Sequence, residues 1–123
     1  MDGILTEPRS IKDAFEVAAI HKAADIAAVA FERMLPSVKT DITECELAAI
    51  LDLEIRKLGS KNSFDTIVAF GPNASRPHHQ PTLRKLKRQD TILIDFGARC
   101  AGYCSDLTRC LIVGRPTGAY RRA

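Results

Sequence analysis

The chain has 123 residues, 46% of them hydrophobic and 27% charged, with a formal charge of +3. That length permits one domain, or part of one, around a modest core. The charge is too small to announce a nucleic-acid partner, and no stretch approaches the roughly 18 consecutive apolar residues of a membrane span.

Met1 to Lys12 mixes Asp2, Glu7, Arg9 and Lys12 with a few apolar residues and does not read as a secretory signal. A cytoplasmic setting is therefore expected. Ser10, followed three residues later by Asp13, predicts a helix N-cap with an acidic first turn. The helix runs to Met34, with Ile11, Phe15, Ala18, Ile26 and Val29 near helical spacing on one buried face, and ends before Pro36. A second helix starts at the capping-box pair Thr43 and Glu46, carries the stripe Leu47, Ile50, Leu51, Ile55 and Leu58, and stops at Gly59. Phe64 to Phe70 reads as a strand, and Gly71 to about Pro81 as a loop holding His78 and His79. The cluster Arg84, Lys85, Lys87 and Arg88, with no aromatic residue interleaved, is expected to be a solvated patch.

Thr91 to Phe96 and Tyr103 to Val113 read as two further strands, joined by a tight turn over Arg99, Cys100, Ala101 and Gly102. The order helix, helix, strand, loop, strand, strand indicates an α+β fold, with two helices packed on an antiparallel sheet. Cys45, Cys100, Cys104 and Cys110 contain no C-x-x-C pair and are expected to be buried free thiols.

The apolar run Ile92-Leu93-Ile94 leads directly into Asp95, where a buried carboxylate needs a partner. A turn centred between Cys100 and Ala101 would set Asp95 directly opposite Asp106, on one face of the hairpin. At about 5 Å and an effective dielectric of about 20, the repulsion would be on the order of 3 kcal/mol. A shared proton, a basic neighbour such as Arg109, or divalent cations would relieve it. Hard oxygen-seeking ions such as Mn²⁺ or Mg²⁺ suit such ligands. A one-residue slip would instead send one aspartate to the other face and leave two unrelated turn or cap residues.

The wording around the aspartates narrows these choices. Ile67-Val68-Ala69-Phe70-Gly71-Pro72-Asn73, then Pro77-His78, Pro81-Thr82, Leu93-Ile94-Asp95-Phe96-Gly97-Ala98 and Gly102-Tyr103-Cys104-Ser105-Asp106-Leu107-Thr108-Arg109 follow in order. This resembles the pita-bread (creatinase/aminopeptidase fold) metallopeptidases, which include prolidase, aminopeptidase P and methionine aminopeptidase. The resemblance spans residues 9 to about 116, and the Gly-Pro-Asn loop looks like the Xaa-Pro branch. It implies the first half of a pita-bread fold, with residues 1–123 forming a partial metallopeptidase catalytic domain.

The implied activity is a dinuclear, metal-dependent aminopeptidase or dipeptidase that hydrolyses the bond between an N-terminal residue and proline. The implied metal ligands are Asp95 and Asp106, the second bridging two divalent ions, Mn²⁺ foremost, with Co²⁺ or Zn²⁺ as alternatives. His78 matches the histidine that steadies substrate or shuttles a proton. By the same reading His79 is an exposed loop residue, Thr108 supports the ligands, and Arg109, of opposite parity, lies on the back of the sheet. The implied partner is a peptide with proline in second position, with neither nucleic acid nor membrane.

In the resembled family a later histidine and two later glutamates complete the metal shell, and the sequence stops before any of them. The chain alone is therefore expected to be a catalytically inactive half, with an open sheet edge that invites association with a second copy. Asp41 and Gln89 stand where the family usually has glycine. Phe70 and Arg76 depart from it near the expected site, which bears on substrate preference. The competing readings are a non-catalytic pita-bread binding module, an inactive truncated paralogue, and a metal-free hydrolase of the creatinase kind. Retention of both aspartates argues against the binding module and the metal-free hydrolase, while the truncated paralogue stays open.

Overall fold

The structure, a computed structural model, describes residues 9–114. Helix α1 spans Ala14–Met34 and α2 spans Glu44–Lys57, with a short 3-10 turn over Leu35–Ser37 between the two. The strands are β1 (Ile67–Phe70), β2 (Thr91–Phe96), β3 (Arg99–Cys100), β4 (Tyr103–Cys104) and β5 (Leu107–Ile112). β1, β2 and β5 form an antiparallel sheet in that order, and β3 with β4 forms a small ribbon at one end of it. The α+β architecture, two helices on an antiparallel sheet, is as the element order indicates.

The first helix starts three residues later than Ser10 would place it. Asp13 is the N-cap: its side chain accepts the Glu16 N–H at 2.8 Å, and Glu16 accepts the Asp13 N–H at 2.9 Å, a complete capping box. Its buried face also differs from the expected one. Ala19, Ala23, Ala27, Ala30 and Met34 face the core, whereas Ile11, Phe15 and Val29 are exposed. Small side chains let the helix lie close against α2 and the β3–β4 ribbon, so the alanine stripe outcompetes the larger residues for that face. α2 follows its sequence signals closely. Thr43 and Glu46 make the predicted capping box, and Gly59 leaves the helix at φ 78°, the left-handed conformation of a C-terminal stop.

β2 alternates strictly. Ile92, Ile94 and Phe96 are buried against the helices, Phe96 stacking on Phe31 with ring centroids 5.5 Å apart, while Thr91, Leu93 and Asp95 point to the opposite, concave face. β1 is shorter than Phe64 to Phe70, and a 3-10 turn over Gly71–Ser75 follows it. The predicted Tyr103 to Val113 strand is broken at Ser105, which is buried. There the Ala98 N–H donates to Ser105 Oγ, the Ser105 N–H donates to the Ala98 carbonyl, and Ser105 Oγ donates to the Ala23 carbonyl of α1 at 3.1 Å. A Cβ on Gly97 would overlap the Ser105 carbonyl oxygen and Ser63 Oγ, so this bend accepts no side chain.

The hairpin register differs by two residues from that of a turn centred between Cys100 and Ala101. Cys100 pairs with Tyr103, Arg99 with Cys104 and Asp95 with Thr108, so the turn is centred between Ala101 and Gly102. Both central residues have positive φ, 50° and 86°, the requirement of a type I′ turn, and the glycine belongs inside such a turn. A shift of two preserves side-chain parity, and both aspartates remain on one face.

The four cysteines are free, but none is buried: Cys45 and Cys100 are half-buried, Cys104 and Cys110 exposed. Arg84 departs from the solvated patch. Its Nε donates to the Phe70 carbonyl and its Nη2 lies 3.0 Å from Asp90 Oδ2. Lys85, Lys87 and Arg88 are exposed, as expected of that patch. No helix among the described residues is long and apolar enough to cross a membrane.

Candidate metal centre

Asp95 arrives at the concave face because β2 alternates, and it is half-buried there. Its cross-strand neighbour Thr108 donates from Oγ1 to Asp95 Oδ1 at 3.3 Å. Asp106, exposed and two residues before Thr108, stands diagonally from Asp95, with its carboxyl within hydrogen-bonding reach of it. The two are therefore diagonal rather than directly opposed. Burial, and then the charge of Asp106, push the Asp95 carboxyl above the ordinary carboxylate range, against the opposing pull of Thr108 and His78.

His78 approaches from the loop after β1. It is exposed, sits in the left-handed region at φ 54°, and lines one open depression of about 350 Å³ together with Ile67, Arg76, Leu93, Asp95 and Thr108. The structure thus brings His78, Asp95, Asp106 and Thr108 to one face. Arg109 has the opposite parity and is exposed, its guanidinium donating to the Thr108 carbonyl. Phe70 does not line this depression. It is fully buried on the helix side, whereas Arg76 is at the rim.

His79 corrects the sequence reading most directly. It is not an exposed loop residue: it is 8% exposed, and its Nε2 lies 2.9 Å from Glu44 Oε2. Glu44 is fully buried and also accepts hydrogen bonds from the Phe70 N–H, Asn73 Nδ2, the Thr82 N–H and Thr82 Oγ1, at 2.6–2.9 Å. Burial pushes its carboxyl up, but the bonds from His79, Thr82, Asn73 and Phe70 outweigh burial and hold it at about 2. The available signal was positional. Glu44 falls on the stripe of Leu47, Ala48, Leu51 and Ile55, where a glutamate must find buried partners.

Oxygen donors from two adjacent carboxylates suit a hard divalent cation, and the raised Asp95 carboxyl is what a cation would relieve. Among the described residues no group of three or more His, Cys, Asp or Glu side chains could hold an ion, so a full shell needs donors beyond them.

A family model described as metallopeptidase family M24 matches residues 18–123. A putative Xaa-Pro aminopeptidase of Mycoplasma genitalium is 42% identical over 110 residues, covering 89% of this chain and 31% of that protein. An uncharacterized peptidase of Staphylococcus aureus is 36% identical over 118 residues, covering 95% and 34%. The solved X-Pro aminopeptidase of Thermotoga maritima superposes with a TM-score of 0.93 at 35% identity, covering 99% of this chain and 35% of that one. The prolidase of Pyrococcus furiosus gives 0.93 at 32% identity, covering 99% and 36%. The chain thus spans about a third of the length of the relatives it matches. With the architecture of the first half of a pita-bread fold and likenesses to Xaa-Pro aminopeptidases and prolidases along nearly its whole length, the chain belongs to metallopeptidase family M24.

Proposed function

We propose that this chain is the first half of a metal-dependent peptidase domain that removes an N-terminal residue preceding proline or splits an Xaa-Pro dipeptide. The observation that carries the reading is the adjacency of the Asp95 and Asp106 carboxylates, with Asp95 lining the same depression as His78. Asp95 and Asp106 would hold the metal. Divalent cations held there, two by family resemblance and Mn²⁺ foremost, supply Lewis-acid polarisation of a peptide carbonyl and activation of water.

The chain's own residues do the rest of what this half contributes. His78, at the rim of the depression, hydrogen-bonds substrate near the scissile bond or carries a proton. Thr108 Oγ1, bonded to Asp95 Oδ1, helps to orient that carboxylate. Two carboxylates alone give weak metal binding and negligible turnover. Four free thiols fit a reducing, cytoplasmic setting.

Calorimetric titration of the purified chain with Mn²⁺, beside Asp106→Ala, tests this. The expected result is weak binding to the wild type, reduced at least about tenfold in the variant, as for loss of one of two charged ligands. Equal binding by both would remove the metal from the site and favour a non-catalytic binding module.

A further inference from the structure

Glu44 and His79 take no part in the chemistry assigned above, yet they form a buried, hydrogen-bonded pair directly behind the loop that carries His78. The two carboxylate oxygens divide that loop between them. Oε1 accepts from the Phe70 N–H at 2.8 Å and from Asn73 Nδ2 at 2.9 Å, at the loop's start. Oε2 accepts from the Thr82 N–H at 2.9 Å and Thr82 Oγ1 at 2.6 Å, and meets His79 Nε2 at 2.9 Å, at its end. One side chain therefore closes the base of the whole segment 71–82. It does so from the first turn of α2, where the helix dipole favours a negative charge. The ionised carboxylate is an acceptor only, so His79 donates from Nε2.

His78 sits inside this closed segment at φ 54°. A left-handed conformation is strained for a non-glycine residue and persists where the surroundings over-determine it. The adjacent His79 supplies that constraint. Its ring is drawn inward to Glu44 and its side chain is 6% exposed, while His78 is exposed and lines the depression with Asp95 and Thr108. Fixing the inward residue fixes the peptide between the two histidines, and with it the direction in which His78 leaves the backbone.

We infer that Glu44 and His79 are positioning residues, a buried clasp that aims His78 at the carboxylate site. The inference rests on the reading of His78 as a site residue.

The test is nuclear magnetic resonance on the full chain without metal, in wild type, His79→Gln, His79→Ala and Glu44→Gln. Two quantities are read: nuclear Overhauser contacts from the His78 ring to the Thr108 methyl, and protection of the β2–β5 ladder amides. The glutamine at 79 keeps a side-chain N–H donor, so it and the wild type are expected to show the contact. His79→Ala and Glu44→Gln are expected to lose it while the ladder stays protected. Persistence of the contact in His79→Ala, or its absence in wild type, overturns the inference. Melting of the ladder in both His79→Ala and Glu44→Gln also overturns it, because the pair would then hold the sheet rather than aim a side chain. Where only Glu44→Gln melts, His79→Ala decides. Because no metal is used, failure of Mn²⁺ binding would sink the proposed function and leave this result readable.

Discussion

Asp41 and Gln89 hold φ at 73° and 68°, the left-handed conformation that glycine adopts without steric penalty. The Gln89 N–H donates to the Val113 carbonyl, a bond that does not depend on the side chain. Gln89→Gly should therefore relieve strain of roughly 1–2 kcal/mol, partly offset by the greater freedom of glycine in the unfolded chain, for a net gain of about 0.5–1 kcal/mol. Urea unfolding measures it, and a lower midpoint than wild type contradicts it. Asp41→Gly should gain less, because aspartate tolerates this region better than glutamine. Glu44 sets a second expectation at this scale. Its carboxyl is depressed from an ordinary 4.5 to about 2, so the stability it contributes is fully present above 4.5 and is lost as the pH falls toward 2. The urea midpoint should fall across that window in wild type and change less in Glu44→Gln.

The helices carry much of what could be read beforehand. The start and stop signals of α2 are local, and the structure reproduces them at Thr43, Glu46 and Gly59. α1 was legible as a helix but not in its details, because two polar residues compete for its cap and two sets of apolar residues for its buried face. The choice of Asp13 over Ser10 follows from Glu16, which completes the box. Asp13→Ala should cost about 1 kcal/mol, within the range for loss of an N-cap, and thermal unfolding would register it. Ser10→Ala should leave the cap bonds of α1 intact. In the hairpin, the face of each aspartate survived a register error because parity repeats every two residues; the exact partner did not. That partner depends on which residues occupy the turn, and Ala101 at positive φ carries no sequence signal. The buried Glu44–His79 pair was missed for a related reason: it joins residues 35 apart, and only the folded loop brings them together.

Across the whole molecule, the concave face costs stability that the helix side supplies. Phe70, Phe96, Met34, Leu47, Leu51 and Ile55 are fully buried in one core between helices and sheet. On the other face, Asp95 is raised by burial and by Asp106. A carboxyl raised on folding destabilises the fold when ionised, and the cost disappears as the pH falls below its folded value. Asp95→Asn should accordingly stabilise the metal-free chain by about 0.5–1 kcal/mol, the scale of an unfavourable cross-strand charge pair. The same variant should lose whatever stabilisation Mn²⁺ gives the wild type. Melting curves with and without Mn²⁺ distinguish the two effects, and a wild type more stable than Asp95→Asn without metal would contradict the first. β5, unpaired on its outer side among the described residues and largely exposed, is where this face stays open.

The hydrogen bond from Ser105 Oγ to the Ala23 carbonyl ties the residue preceding Asp106 to the middle of a helix on the far side of the sheet. Ala23 is fully buried in the closely packed stripe, so a larger residue there would push the helix outward and pull on that bond. Selection for altered metal preference would then recover changes in α1 that never meet an ion or a peptide. A mutational library confined to the visible pocket would miss them.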